Sequence, residues 1–294
     1  MSPPPGSGGS DDTSIRWRLT LAYDGSGFHG FAAQEGVRTV AGALAGALSR
    51  VTRTPVTLTC AGRTDAGVHA TGQVVHFDLP ADRSASLDPS ALVKSCNSLL
   101  GSSVVVREAG VAPSGFDARR SATSRRYRYL VVNAAVADPL LAHLTWQVAD
   151  PLDLRTMAAG SDALLGEHDF RAFCRRVPGS TADDAIHRRV IDARWTRLSG
   201  PPQPVADRLV ERVPDPECCP DLVPRVGILY AFEIEANAFC HQMVRSLVGT
   251  LVDVGRGRLR PSDVLAIIRS ADRRQASQPA PPQGLTLMAV RYGG

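Results

Sequence analysis

Residues 15–23 alternate strictly: Ile15, Trp17, Leu19, Leu21 and Tyr23 share one side of an extended chain, against Arg16, Arg18 and Thr20. A period of two commits this segment to a half-buried strand. The period then changes. Val40, Leu44, Leu48 and Val51 recur at helical spacing behind Thr39, whose hydroxyl suits a helix N-cap. Val56-Thr57-Leu58-Thr59-Cys60 and Gln73-Val74-Val75-His76-Phe77 return to β-branched, strand-like sequence. Asp88-Pro89 opens a second helix with a capping side chain and a proline in the first turn, and Val104-Val105-Val106 reads as the next strand. The element order is therefore β-α-β-β-α-β.

That order resembles one ferredoxin-like, RNA-recognition-like half. The remainder repeats the theme more loosely. Tyr127, Tyr129 and Val131 alternate with Arg126, Arg128 and Leu130 on a strand. A helix follows Asp150-Pro151 and stops at Gly166. Ile191, Ala193 and Trp195 alternate, as do Ile228, Tyr230, Phe232 and Ile234, which predicts a hairpin joined through the Pro-rich segment 200–224. A helix is expected over 239–254, another after Pro261-Ser262-Asp263, and a last strand through Leu285, Leu287 and Ala289. No fixed-period repeat appears, which excludes a solenoid. Residues 1–13 are built of Pro, Gly, Ser and Asp and are expected to be a disordered tail. The expected division is 14–115 for the N-terminal half and 116–294 for the C-terminal half.

Composition narrows the function classes. With 44% hydrophobic and 21% charged residues the chain is ordinary for a soluble globular protein. Its apolar stretches fall far short of a membrane span and no secretory signal opens it, so a cytoplasmic protein is expected. The cysteines at 60, 96, 174, 218, 219 and 240 form no Cys-x-x-Cys pair and no zinc-finger spacing, and scattered reduced thiols are expected. The adjacent Cys218 and Cys219 sit in the Pro-rich stretch. His69 and His76 flank a strand and read as structural rather than metal-binding; no metal is called for. The net charge of +4 is compatible with RNA binding without demanding it. Lys94 is the only lysine, so 32 of the 33 basic residues are arginine. Codon usage accounts for this blandly; functionally, the planar guanidinium suits phosphates and stacks on bases. Arg119-Arg120, Arg125-Arg126-Arg128, Arg175-Arg176, Arg188-Arg189 and the Arg256, Arg258, Arg260 series would suit a phosphate-tracking surface.

Between the second and third strands lies Ala61-Gly62-Arg63-Thr64-Asp65-Ala66-Gly67-Val68-His69-Ala70. It places one carboxylate on a glycine-flanked turn beside an arginine, and the glycines permit a tight turn and close approach by a bulky partner. On residue chemistry alone Asp65 is either a reactive carboxylate or a turn residue bonded to a nearby N–H. Arg245 lies in Met243-Val244-Arg245-Ser246-Leu247-Val248-Gly249, apolar almost all round, and a buried guanidinium requires a carboxylate nearby. Asp65, Asp253 and Glu233 are the acids available to it. Pairing with Asp65 would hold that carboxylate ionised and oriented.

Gly62 to His69, continued by Thr71-Gly72-Gln73-Val74-Val75-His76-Phe77, closely resembles the catalytic loop of the bacterial tRNA pseudouridine synthases that modify the anticodon stem-loop. Leu19-Thr20-Leu21-Ala22-Tyr23-Asp24-Gly25-Ser26-Gly27-Phe28, Ser124-Arg125-Arg126-Tyr127-Arg128-Tyr129, Leu164-Leu165-Gly166-Glu167-His168-Asp169-Phe170, Ala236-Asn237-Ala238-Phe239-Cys240-His241-Gln242-Met243-Val244-Arg245 and Gly284-Leu285-Thr286-Leu287 resemble further family segments in the family's order. Together they span residues 16–292. The resemblance implies an α+β pseudouridine-synthase fold: two ferredoxin-like halves sharing a mixed, largely antiparallel sheet, with the active-site cleft between them. It implies isomerisation of uridine to pseudouridine at tRNA positions 38, 39 and 40, with Asp65 as nucleophile and Arg245 as its partner. Tyr127 would stack on the target base; the plainer reading is a core aromatic, the fate expected of Tyr129. Arg63 would help hold the target nucleotide out of the stack, or otherwise touch a surface phosphate. The implied partners are tRNA and a second copy of the chain in a homodimer, with no membrane and no other protein. No cofactor is implied, since breaking N1–C1′ and joining C5 to C1′ changes no oxidation state.

Two segments depart from the family pattern. Phe28-His29-Gly30-Phe31-Ala32-Ala33-Gln34 replaces a stretch usually rich in Trp and Gln, and Ser98-Leu99-Leu100-Gly101 lacks a proline often found there. Two other function classes compete. A non-catalytic RNA-binding protein of ferredoxin-like fold would be expected to lose the loop acid, and Asp65 is present. A glycoside or nucleoside hydrolase would want a second acid beside Asp65, where the loop offers Arg63 and His69.

Overall fold

The computed structural model of the protein describes residues 14–175, 184–198 and 227–293. Its strands are β1 (Ser14–Tyr23), β2 (Thr59–Cys60), β3 (His69–Pro80), β4 (Val104–Val111), β5 (Ala122–Asn133), β6 (Trp146–Val148), β7 (Gly166–Asp169), β8 (His187–Leu198), β9 (Ile228–Ala236) and β10 (Leu285–Tyr292). Its helices are α1 (Val40–Thr52), α2 (Ala81–Ala85), α3 (Pro89–Leu100), α4 (Leu154–Asp162), α5 (Met243–Gly255) and α6 (Pro261–Ser270). Among the described residues the strands form one sheet in the order β4-β1-β3-β10-β5-β9-β8-β7, with β2 added to β3 and β6 to β5.

Two units of the same internal order make up this sheet. The N-terminal unit runs β4-β1-β3-β2 and the C-terminal unit β10-β5-β9-β8, each in the order fourth, first, third, second, with antiparallel neighbours. The expected α+β architecture of two ferredoxin-like halves sharing a sheet is thus observed. The units meet where β10 runs parallel to β3, pairing Thr286 with His69 and Leu287 with Ala70. Farther along, β3 pairs with β2 through Val75 and His76. This edge of β3 therefore changes partner, and residues 61–68, leaving β2 and entering β3, sit at the fork. Gly72 makes the seam possible, because a Cβ there would overlap the Met288 carbonyl oxygen of β10.

Local chemistry sets most element ends. The Thr39 hydroxyl accepts from Gly42 N–H at 3.2 Å and the Asp88 carboxylate from Ala91 N–H at 2.7 Å, capping α1 and α3. The alternation of β1 buries Trp17, Leu19, Leu21 and Tyr23, in one cluster with Leu44 and Leu48 of α1 and Tyr129, Phe232 and Leu251 of the C-terminal unit. A single core thus crosses the seam.

Several expectations need correction. The strand expected over 56–60 shrinks to Thr59–Cys60, because Pro55 has no N–H and Val56 N–H is taken by the Ser49 hydroxyl at 3.0 Å. The helix after Asp150-Pro151 is capped three residues later, where Asp153 accepts from Arg155 N–H at 2.8 Å, and it ends at Asp162 rather than reaching Gly166, which opens β7. Ile191 is exposed, since a register shift between Val190 and Asp192 breaks the alternation before Ala193 and Trp195. The helix expected from 239 begins at Met243. Cys174 and Cys240 are not separate thiols: they are joined, with Cα atoms 5.7 Å apart across 66 residues of sequence, within the usual range for a disulfide. Sequence spacing could not show that pair, because tertiary packing alone brings it together. Cys60 and Cys96 are free. The expectations for 1–13, for 200–224 and for Cys218 and Cys219 lie outside the described residues. No described helix is long and apolar enough to cross a membrane.

Candidate active site

The 61–68 loop is held from four directions. Ala61 N–H bonds the Val74 carbonyl at 2.9 Å, and Phe31 N–H bonds the Thr64 carbonyl at 3.0 Å. The Gln73 amide donates to the Gly62 carbonyl at 2.6 Å, and the Thr64 hydroxyl pairs with Tyr23 Oη at 2.8 Å. Burial pushes the Tyr23 phenol upward, so it stays protonated and able to serve this pair. Gly67 turns the chain at φ +79°, with Pro282 packed where a Cβ would stand. Asp65 is thus carried on a rigid turn that leaves its carboxylate 27% exposed.

Across the seam, Arg245 meets it. Its Nη1 lies 3.2 Å from Asp65 Oδ2, joining residues 180 apart in sequence. Its Nε donates to the Ala280 carbonyl at 2.7 Å, and Ala280 N–H returns a bond to the Arg245 carbonyl at 2.9 Å. The guanidinium is therefore aimed from both ends. The other acids are engaged elsewhere: Glu233 pairs with Arg128 and Arg194, and Asp253 with Arg256 and Arg258.

Tyr127, on β5, is 7% exposed. Its ring takes the edge-to-face contact of Phe239 at 5.1 Å, and its hydroxyl lies toward Gly62 in the loop. Burial, with the neighbouring Tyr23 and Asp65, pushes its phenol upward and keeps it protonated. Tyr129 is fully buried and donates to the Pro281 carbonyl at 2.7 Å, a core residue as expected. Arg63 is exposed at the loop and has no ion-pair partner among the described residues.

Two residues of this site escaped the sequence reading. His241 places Nε2 3.3 Å from Asp65 Oδ1. It lies in the family-like run 236–245, four residues before Arg245, in a stretch where a helix is expected. Arg125 was grouped with a phosphate-tracking cluster; it is instead buried, donating to the carbonyls of Ala61, Arg119, Ala122 and Asn237 at 2.7–3.1 Å. It ties the Asp65 loop to the end of β9, and burial lowers its affinity for its proton. Its neighbours Arg126 and Arg128 are paired with Glu235 and Glu233. The cluster is therefore a set of internal struts. His69 and His76 are structural, as expected. His69 Nδ1 accepts from Gly25 N–H at 3.1 Å while Nε2 faces two carbonyls, and His76 Nδ1 accepts from Ala118 N–H at 2.9 Å. Although Asp24 lies 3.2 Å from His69 Nδ1, that nitrogen is an acceptor and burial keeps the ring neutral.

At the junction of the two ferredoxin-like units, the carboxylate of Asp65 is faced by a guanidinium from the opposite unit. The tRNA pseudouridine synthase family pattern matches residues 161–293. The tRNA pseudouridine synthase A of Frankia casuarinae is 43% identical over 283 residues, covering 96% of this chain and 90% of that protein. Those of Leifsonia xyli subsp. xyli and Legionella pneumophila are 40% and 37% identical, covering 96% and 95% of this chain and 93% of each relative. The chain belongs to the tRNA pseudouridine synthase A family.

Proposed function

We propose that this protein isomerises uridine to pseudouridine at positions 38, 39 and 40 of the tRNA anticodon stem-loop, with Asp65 as the nucleophile. The observation that carries this reading is the contact of Asp65 with Arg245 at 3.2 Å, within a chain similar to tRNA pseudouridine synthases along nearly its whole length. The reaction breaks N1–C1′, turns the base and forms C5–C1′; the hydrogen leaves C5 and N1 gains one. No electron is gained or lost overall, so the chemistry requires no redox cofactor. What it requires is an ionised carboxylate beside the sugar and base, held in one orientation. Arg245 supplies the charge and the orientation. Tyr127 forms the floor against which the target base rests. Arg63, exposed and without an ion-pair partner among the described residues, holds the target nucleotide out of the helical stack, and Arg119 and Arg120 meet phosphates. We further propose that the chain works in the cytoplasm as a homodimer, with one tRNA touching both subunits.

The test is incubation of the purified protein with unmodified tRNA, followed by pseudouridine mapping at nucleotide resolution. Modification at 38, 39 and 40 is expected; modification elsewhere would overturn the positional assignment, and no modification would overturn the activity. Nucleophile identity is tested separately through Asp65, and the dimer by sedimentation of the free protein and its tRNA complex.

A further inference from the structure

Asp65 has two carboxylate oxygens, and Arg245 faces only Oδ2. Oδ1 faces the ring of His241, with Nε2 at 3.3 Å. We propose that His241 is a second positioning residue for Asp65, fixing the plane of the carboxylate that Arg245 alone leaves free to rotate about Cβ–Cγ. The inference rests on the reading of Asp65 as the reacting carboxylate.

Ties on both sides of His241 keep it in place. Residues 239–241 stay outside α5, and Gln242 adopts a left-handed conformation at φ 64° just before the helix starts. For a non-glycine residue that conformation is uncommon and costs energy, so surrounding contacts must hold it. Those contacts fall on three consecutive side chains. Phe239 packs on Tyr127, Cys240 is joined to Cys174, and His241 faces Asp65. The main chain adds a fourth tie, from Arg175 N–H to the His241 carbonyl at 2.9 Å. A helix continued back to residue 239 would lose this arrangement.

The chemistry of the ring fits the task. Nε2, 3.3 Å from Oδ1, puts a polar ring atom against the carboxylate oxygen that Arg245 does not face. The ring is 40% exposed and the carboxylate 27%, so the pair is partly open to solvent. A carboxylate that attacks along one direction gains from being held at both oxygens. Misplacement by about 1 Å in such a site costs up to about a hundredfold in rate.

The experiment measures single-turnover pseudouridine formation, tRNA affinity and thermal unfolding for the full-length protein and for His241→Ala, His241→Gln and His241→Phe. The alanine and phenylalanine variants should react about 10- to 100-fold more slowly, with tRNA affinity and melting temperature near wild type. Gln, whose amide N–H approximates Nε2–H, should recover much of the lost rate. The Phe variant keeps a ring without a donor, and it decides the question should Ala fail to fold. Full rate in Phe or Ala, or Gln no better than Phe, would overturn the inference. If the wild-type protein itself formed no pseudouridine, the reading of the site would fail instead, and the two failures are told apart by that control.

Discussion

The two halves of the sheet share one strand order yet contribute different kinds of chemistry. In the N-terminal unit the connection between its second and third strands, residues 61–68, carries the carboxylate of Asp65. In the C-terminal unit it is the connection between the third strand and the following helix, residues 237–242, together with the first turn of α5, that carries His241 and Arg245. The matching connection of the N-terminal unit holds only α2, with exposed Asp82 and Arg83. Strand order is thus shared while the candidate site sits in the connections, and neither half contains all of it. One supplies the anion, the other the groups that hold it. The two buried-end arginines sharpen the contrast. Arg245 is met by a carboxylate and one backbone carbonyl, whereas Arg125 is met by four backbone carbonyls.

The largest effect is expected at the anion. Asp65→Asn keeps the shape but removes the charge and the nucleophile, and single-turnover pseudouridine formation should fall by about a thousandfold or more, with tRNA binding retained. Turnover near wild type would remove Asp65 from the reaction and break the comparison at its root.

The arginines come next and should separate. Arg125→Ala leaves several carbonyls in the protein interior without a donor, each costing about 1–3 kcal/mol where water cannot replace it. Arg125→Lys should rescue little, since one ammonium cannot reach four acceptors spread over three segments. Arg245→Ala strands a carboxylate that is 27% exposed, so its stability cost should lie below the about 3–5 kcal/mol of a fully buried pair. Arg245→Lys should be nearly as stable as wild type yet much slower. Chemical denaturation and single-turnover rates on the same preparations decide this; equal rate and stability losses for the two lysine variants would erase the distinction.

Tyr127→Leu should lose about 1–3 kcal/mol of any stacking-dependent step, read as a slower single turnover. Tyr127→Phe tests the hydroxyl alone and should be impaired less. If both variants matched wild type, Tyr127 would be a core residue only, like Tyr129.

The smallest effect is pH-dependent. Burial holds His69 and His76 below their ordinary value, so the unfolded chain binds protons first. Stability should be at its full value above about pH 6.5 and decline as the pH falls below it. Melting temperatures measured from neutral to mildly acidic pH check this, and His69→Asn should flatten the slope. A slope unchanged by that substitution would mean that His69 does not carry the effect.

Much of this fold was legible because it rests on short-range chemistry. The period of two in residues 15–23, the caps at Thr39 and Asp88, and the glycine-flanked Asp65 turn act over a few residues, and the chain obeys them. The family-like segments located Asp65, Tyr127 and Arg245 for the same reason: each lies in a contiguous run. Other features had no local signal. The segment 239–242 reads as helix, while in the fold it is tied to Tyr127, Cys174, Asp65 and Arg175. Arg125 reads as one more surface cation until the fold surrounds it with carbonyls. By itself the sequence determined which segments are strands and helices, and that Asp65 sits on a glycine-flanked turn between two strands, because backbone sterics and side-chain periodicity operate within a few residues. Only the tertiary structure decided that Arg125 reaches Asn237, that Cys174 meets Cys240 and that His241 faces Asp65, because these contacts join segments far apart in sequence, the first two 112 and 66 residues apart.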